Sequence, residues 1–214
     1  MKPTSTMGDA RGAYFEQLYR QDADPWRVRQ RWYETRKRTL LLAGLPQQRY
    51  RNAYEPGCGN GELTLELARR CEQVLASDFS DQALLLARHR LEAAGQADNV
   101  TLARHRLPQD WPRTGKGVDK FDLIVISEIA YYLSAEELAL LAEQAVASLA
   151  PGGSIALCHW RAPFAQRILS TVRVHDAFQH APGLHCLVRH EESDFLLGVW
   201  SNDARSVAQK EGFA

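Results

Sequence analysis

The 214-residue sequence predicts an α/β protein. A doubly wound, mostly parallel seven-stranded sheet would follow an N-terminal helical segment and end in an antiparallel strand pair. Three observations carry this expectation. Short β-type runs alternate with amphipathic helical runs through most of the chain. Phe121-Asp-Leu-Ile-Val-Ile126 is almost continuously apolar, as a central parallel strand covered on both faces must be. Between a strand candidate and a helix candidate lies Glu55-Pro-Gly-Cys-Gly-Asn-Gly61, at the strand end where such sheets hold ligands.

Taken in order, residues 1–9 are small and polar and read as a disordered tail, leaving 10–214 as one domain. Gly12 to Gly44 reads as helical, with Tyr14, Phe15, Leu18 and Tyr19, then Trp32, Tyr33 and Leu40 to Leu42 as its apolar positions. Asp24-Pro25 interrupts it, since proline suits a first helical turn but not an interior. Past Leu45-Pro46 the alternation begins: a strand at Ala53 to Glu55, a helix at Gly61 to Arg70, a strand at Gln73 to Ser77. A helix from Asp81 to Ala94 opens on an acid, and Asn99 to Ala103 is a third strand. Ser134 with Glu137 three residues later forms a capping box for the next helix. Leu149-Ala-Pro-Gly-Gly153 stops that helix before a strand at Ser154 to His159. A helical stretch around Phe164 to Phe178 precedes strands at Leu184 to Arg189 and Phe195 to Trp200, separated by acidic turn residues.

Composition narrows the function. Lys plus Arg equals Asp plus Glu at 26 each, so bulk electrostatics supply no nucleic-acid or membrane surface. Arginines gather at Arg27 to Arg38 and Arg104 to Arg113, as helix faces, loop rims or contacts to an anionic substrate. Cys58, Cys71, Cys158 and Cys186 lack CxxC or zinc-like pairing, which fits a reduced, cytoplasmic chain. His175, His180, His185 and His190 show no metal-ligand spacing, so no metal is expected.

The strand ends hold the chemistry. Three glycines at alternate positions, Gly57, Gly59 and Gly61, let the backbone turn sharply and approach a ligand closely. Glu55 at the strand exit favours a cationic or amine-bearing ligand, whereas a pyrophosphate would want helix N–H groups and positive charge. Asp78, about twenty residues beyond the loop, is placed to accept ribose hydroxyls. Ser127-Glu128 ends the fourth strand with Tyr131 and Tyr132 beyond it, and Cys158-His159-Trp160 ends the fifth. A dinucleotide-type G-x-G-x-x-G would need glycine where Glu62 stands, so a nicotinamide enzyme is disfavoured. An acid beside sulfonium and amino groups points instead to S-adenosylmethionine.

With these motifs in order, the chain resembles the class I S-adenosylmethionine-dependent methyltransferases. Within that class it is similar to the nodulation protein S family, N-methyltransferases of the free amino sugar of a chitooligosaccharide. The closer likeness rests on Asp24-Pro-Trp-Arg-Val28, Trp32-Tyr-Glu34 with Lys37, Phe121 to Val125, Glu128, Tyr131-Tyr-Leu133 and Leu149 to Gly153, across roughly residues 14–160. The resemblance implies a Rossmann-like methyltransferase with a helical lid over 10–46, a cofactor-binding core over 47–160 and an acceptor-shaping part over 161–214. It implies cofactor contacts from Glu55, Gly57, Cys58, Gly59, Gly61, Asp78 and Ser127, and lid contacts from Trp26 and Tyr33. Phe79, Arg106 and Leu107 would flank the adenine, Arg106 standing where many methyltransferases have Asp. Glu128, Tyr132 and His159 are the candidates for orienting the acceptor or taking its proton. The expected acceptor is a polar small molecule, an amino sugar or oligosaccharide. A small-molecule O-methyltransferase and a non-catalytic cofactor-binding regulator remain the alternatives. The poor match after Trp160 and the glycine at position 59 are the departures from the nodulation pattern.

Overall fold

The computed structural model describes residues 7–113 and 120–213. Helices α1 (Met7–Gln21) and α2 (Trp32–Gly44) come first, joined by turns around Asp24-Pro25. Strand and helix then alternate through β1 (Tyr50–Pro56), α3 (Glu62–Ala68), β2 (Cys71–Asp78), α4 (Asp81–Ala93), β3 (Val100–Arg104) and β4 (Phe121–Ser127). A short 3-10 turn (Ala130–Tyr132) leads into α5 (Ala135–Ala147) and β5 (Leu149–Trp160). The chain continues through α6 (Thr171–Gln179), β6 (His185–Glu191), β7 (Phe195–Ser201) and α7 (Val207–Lys210).

The strands form one sheet in the order β3-β2-β1-β4-β5-β7-β6. Strands β1 to β5 pair in parallel, and β7 lies antiparallel between β5 and β6. Connections leave β1 toward one edge and β4 toward the other, which opens a crevice beyond the carboxyl ends of those two strands. Strand β4 shows why its sequence is so apolar. Ile124 and Ile126 join the core under α5 and α6, with Leu141, Val174 and Phe178. Leu123 and Val125 join the opposite core, with Leu41 of α2, Leu67 of α3 and Ala87 of α4. Side chains alternate across a strand, so a sheet covered on both faces needs both sets apolar.

Local signals match well. The Ser134 hydroxyl accepts the Glu137 N–H, and the Glu137 carboxylate accepts the Ser134 N–H, completing the capping box. Such a cap contributes about 1 kcal/mol to a helix. Several element ends differ from expectation by a few residues, and some differences are instructive. Helix α1 begins at Met7, inside the stretch expected as a tail, while residues 1–6 lie outside the described residues. Helix α4 is capped by the Ser80 hydroxyl, which accepts the Ala83 N–H, rather than by an acid. The Pro-Gly-Gly stop falls inside β5: pairing with β4 jumps from Phe121–Leu149 to Leu123–Ser154, so the residues between bulge out. Helix α6 starts only at Thr171, because Arg167 ties the preceding loop to the Arg161 and Ala162 carbonyls at 2.6 and 3.0 Å. Among the described residues no helix is long and apolar enough to cross a membrane.

Candidate functional site

Beyond the carboxyl ends of β1 and β4 lies a cavity of about 1120 Å³. Its floor is the glycine loop, and its roof comes from α1, α2 and the turns between them. Glu55, at the end of β1, is buried, and its Oε2 has no hydrogen-bond partner. Burial pushes this carboxyl up to about 8; the Thr64 hydroxyl opposes the shift without meeting hydrogen-bond geometry. A buried acid with an orphaned oxygen on a cavity wall is a receptor for a cationic donor. Asp78 is equally buried, and burial pushes it up to about 6, against the N–H groups of Ser80 and Gly59 that it accepts at 3.0 and 3.1 Å. The Phe79 N–H also favours the carboxylate, and part of its acceptor capacity stays free.

The glycine loop is shaped by close approach. Gly57 (φ +72°) and Gly59 (φ +54°) lie in the left-handed region. A Cβ on Gly57 would stand 2.3 Å from Ile129 Cγ2, and one on Gly59 would stand 2.5 Å from the Tyr19 hydroxyl. Cys58 lines the same wall as a buried thiol, which burial pushes upward, so it is a neutral packing group. Gly61 does not line the cavity and corrects the expectation of a ligand contact. It precedes α3 at φ +82°, and its missing Cβ lets Ala87 of α4 pack against it, a helix-packing role.

The roof is aromatic and latched. Phe15 meets Phe79, Tyr132 and Trp26 at ring separations of 5.7, 5.0 and 6.0 Å, and Tyr19 meets Trp26 at 5.6 Å. Asp24 accepts the N–H groups of Val28 and Arg29, and the Asn60 amide donates to Asp24 at 3.3 Å and to the Ala23 carbonyl at 3.1 Å. The Ser80 hydroxyl donates to Glu16 of α1 at 2.6 Å. Leu107 and Arg106 line the cavity on the β3 side, the Arg106 N–H donating to Asp110.

At the far end, Glu128 follows β4 with φ +58°, a strained conformation for a residue with a Cβ. Three donors converge on its carboxylate: Lys37 Nζ to Oε1 at 2.7 Å, the Tyr131 hydroxyl to Oε2 at 2.6 Å and the Trp160 N–H to Oε2 at 2.9 Å. Ser127 lines the wall beside it and donates to the Cys158 carbonyl. Tyr33 faces Trp160 edge-on at 5.4 Å, with Lys37 Nζ 5.0 Å from its ring centre and its own hydroxyl buried without a partner. Tyr132 packs among Phe15, Tyr131 and Phe164 on the cavity wall, whereas Tyr131 belongs mostly to the core.

His159 is not on the wall. Alternation along β5 sends Cys158 and Trp160 toward the cavity and His159 to the opposite face, where it is fully buried. Its Nε2 accepts the Ala130 N–H at 3.4 Å, so its Nδ1 carries the proton and donates to His175 Nε2 at 3.2 Å. Burial pushes the two imidazoles down to about 3 and about 2. His159 is a neutral structural group, correcting its candidacy as a proton acceptor. Sequence reasoning gave Lys37, Glu34 and Asn60 no role. The signal for Lys37 was its place in the stripe Tyr33, Lys37, Leu41, where spacing by four puts a lysine on the buried face of α2.

Residues 53–153 match the family described as "Methyltransferase domain". A crystal structure of a putative methyltransferase from Pseudomonas syringae is 44% identical, with a TM-score of 0.68, covering 80% of this chain and 99% of that one. The chain belongs to the class I S-adenosylmethionine-dependent methyltransferases. The N-methyltransferase NodS from Bradyrhizobium japonicum WM9, in complex with S-adenosyl-L-homocysteine, is 25% identical with a TM-score of 0.77 over 89% of this chain and 98% of that one. Nodulation protein S of Rhizobium tropici is 29% identical over 134 residues, 62% of this methyltransferase. The match spans about half of that curated relative, 53% of its length. The pocket of this methyltransferase fits its family's cofactor. The orphaned Glu55 oxygen suits an amino group, Asp78 has lone pairs left for hydroxyls, and a Cβ at Gly57 or Gly59 would fill the cradle between them.

Proposed function

We propose that this protein transfers a methyl group from S-adenosylmethionine to an amino group of a polar small molecule, an amino sugar or oligosaccharide. The observation that carries this reading is a single cavity bounded by Glu55 and Asp78 at one end and Glu128 at the other. When bound, S-adenosylmethionine supplies an electrophilic methyl group. Glu55 would hold the cofactor's amino group, Asp78 its ribose hydroxyls, and Phe79, Leu107 and Arg106 would flank the adenine. Residues 10–46 would serve as the lid, with Phe15, Trp26 and Tyr33 excluding water, and 161–214 would shape the acceptor side through Phe164 and Gln166.

Glu128 would meet the acceptor. A carboxylate offers about four acceptor sites, and three donors occupy Glu128, leaving one for an amine N–H. That bond would aim the amine lone pair along the cavity and give the departing proton a place to go. Tyr132, on the same wall, would orient the acceptor. A nitrogen acceptor is supported by the likeness to the N-methyltransferase NodS, and the amino-sugar class by the resemblance of the Asp24–Val28 and Trp32–Lys37 segments to the nodulation family.

Calorimetry against S-adenosyl-L-homocysteine and NAD checks the cofactor, with binding expected for the first alone. Labelled-methyl transfer to free glucosamine oligomers, N-acetylated oligomers and simple amines checks the acceptor. Transfer to every compound except the free amino sugars would reject the narrower class.

A further inference from the structure

Helix α2 buries a stripe of Tyr33, Lys37 and Leu41 against the sheet, and a lysine in such a stripe needs a reason. Lys37 has a side chain only 8% exposed, with its ammonium between two carboxylates, 2.7 Å from Glu128 and 2.9 Å from Glu34. The pair joins elements 91 positions apart in sequence, and Lys37 itself lines the cavity. Burial works against the ammonium, yet Glu128 and Glu34 outweigh it and hold Lys37 above the ordinary lysine range. Lys37 therefore stays protonated and takes no proton from an acceptor. Among the described residues, it is the cation within ion-pair distance of Glu128.

We propose that Lys37 is a positioning residue, fixing the Glu128 carboxylate that meets the acceptor. This rests on the reading of Glu128 given above. Tyr131 and the Trp160 N–H both hold Oε2, so among the described residues it is Lys37 that sets the place of Oε1. Formally, two carboxylates around one ammonium leave one negative charge at the acceptor end. Removing Lys37 doubles that charge and frees the Oε1 side to turn. Arginine, with a planar fork on a stem one methylene shorter, restores the charge and part of the geometry.

The test compares Lys37→Met, Lys37→Arg and Arg36→Met in the full chain. Arg36 anchors the same helix through a bidentate pair with Glu192 and does not line the cavity, so it reports on loosening of α2 alone. Labelled-methyl transfer to a glucosamine tetramer reads kcat and acceptor KM, and calorimetry reads S-adenosyl-L-homocysteine affinity. Lys37→Met is expected to lower kcat about 100-fold with cofactor-product affinity changed less than about threefold, a loss confined to the reacting complex. Lys37→Arg is expected within about tenfold of the parent and Arg36→Met within about threefold. Equal losses in Lys37→Met and Arg36→Met, or no recovery with arginine, would overturn the proposal. So would a loss of product affinity matching the loss of kcat.

Urea unfolding of Lys37→Met, Glu128→Gln and their combination needs no acceptor. Strong non-additivity is expected, and additive losses overturn the proposal whatever the acceptor is. A parent inactive toward glucosamine overturns the substrate reading, and the cycle then decides Lys37. Should Lys37→Met not fold, Lys37→Gln carries the same comparisons.

Discussion

Asp78 and Glu128 occupy opposite ends of one cavity, and their substitution should separate binding from turnover. Asp78→Ala is expected to weaken S-adenosyl-L-homocysteine at least about tenfold by calorimetry, because it removes a buried acceptor. Glu128→Gln is expected to lower kcat while leaving that affinity within about threefold. Matching affinity losses would assign Glu128 to the cofactor. Both residues were legible in the sequence, because each ends a β run and strand ends carry the ligands of such sheets. His159 misled for the same reason. Proximity to a strand end does not reveal which face a residue takes, and one step of alternation put it behind the site. Lys37 stood out only as a mark of the family likeness, and its role lay hidden because Glu128, its distant partner, follows β4, which no local pattern links to α2.

At the scale of elements, the glycine loop and α1 are matched surfaces. Gly59 needs no side chain because the Tyr19 hydroxyl fills the space a Cβ would take, at 2.5 Å. Gly59→Ala is expected to weaken cofactor-product binding and lower Tm, from that clash plus a left-handed cost of about 1 kcal/mol. Adding Tyr19→Phe should recover part of the loss, since the ring carbon stands off at 3.6 Å. No recovery would place the whole penalty in the backbone. Strand and helix existence was readable from periodicity, whereas the bulge at Ala150 to Gly153 was not. Pro-Gly-Gly signals a turn, and only pairing with β4 shows that the strand runs through it.

For the whole molecule, three kinds of buried group set opposing pH responses. Glu55 and Asp78 are raised on folding to about 8 and about 6, so above pH ~4 these two carboxyls bind more protons in the folded chain than in the unfolded one. Their contribution to the stability of the ligand-free protein should therefore fall as pH rises from about 4 to about 8, emerging as a net fall above pH about 6.5, where the histidines no longer titrate. In Glu55→Gln this fall should end near pH 6, where Asp78 has titrated. His159 and His175 act in reverse: they stay neutral when folded and gain protons only on unfolding, so they erode stability as pH falls below about 6.5 toward about 3. His175→Gln should flatten that acid limb. Tm measured across pH for the three proteins checks both limbs, and parallel curves would refute these assignments.

The latch of Asp24 on Asn60 has a kinetic consequence. With Tyr19 over Gly59 and Phe15 over Phe79, the spent cofactor would leave by a path that crosses the roof, so each cycle would include an unlatching. The tempo of the enzyme would then belong to a hydrogen bond in the roof and not to the methyl transfer. Stopped-flow release of S-adenosyl-L-homocysteine is expected to quicken several-fold in Asn60→Ala. An unchanged release rate would leave the latch as an architectural tie.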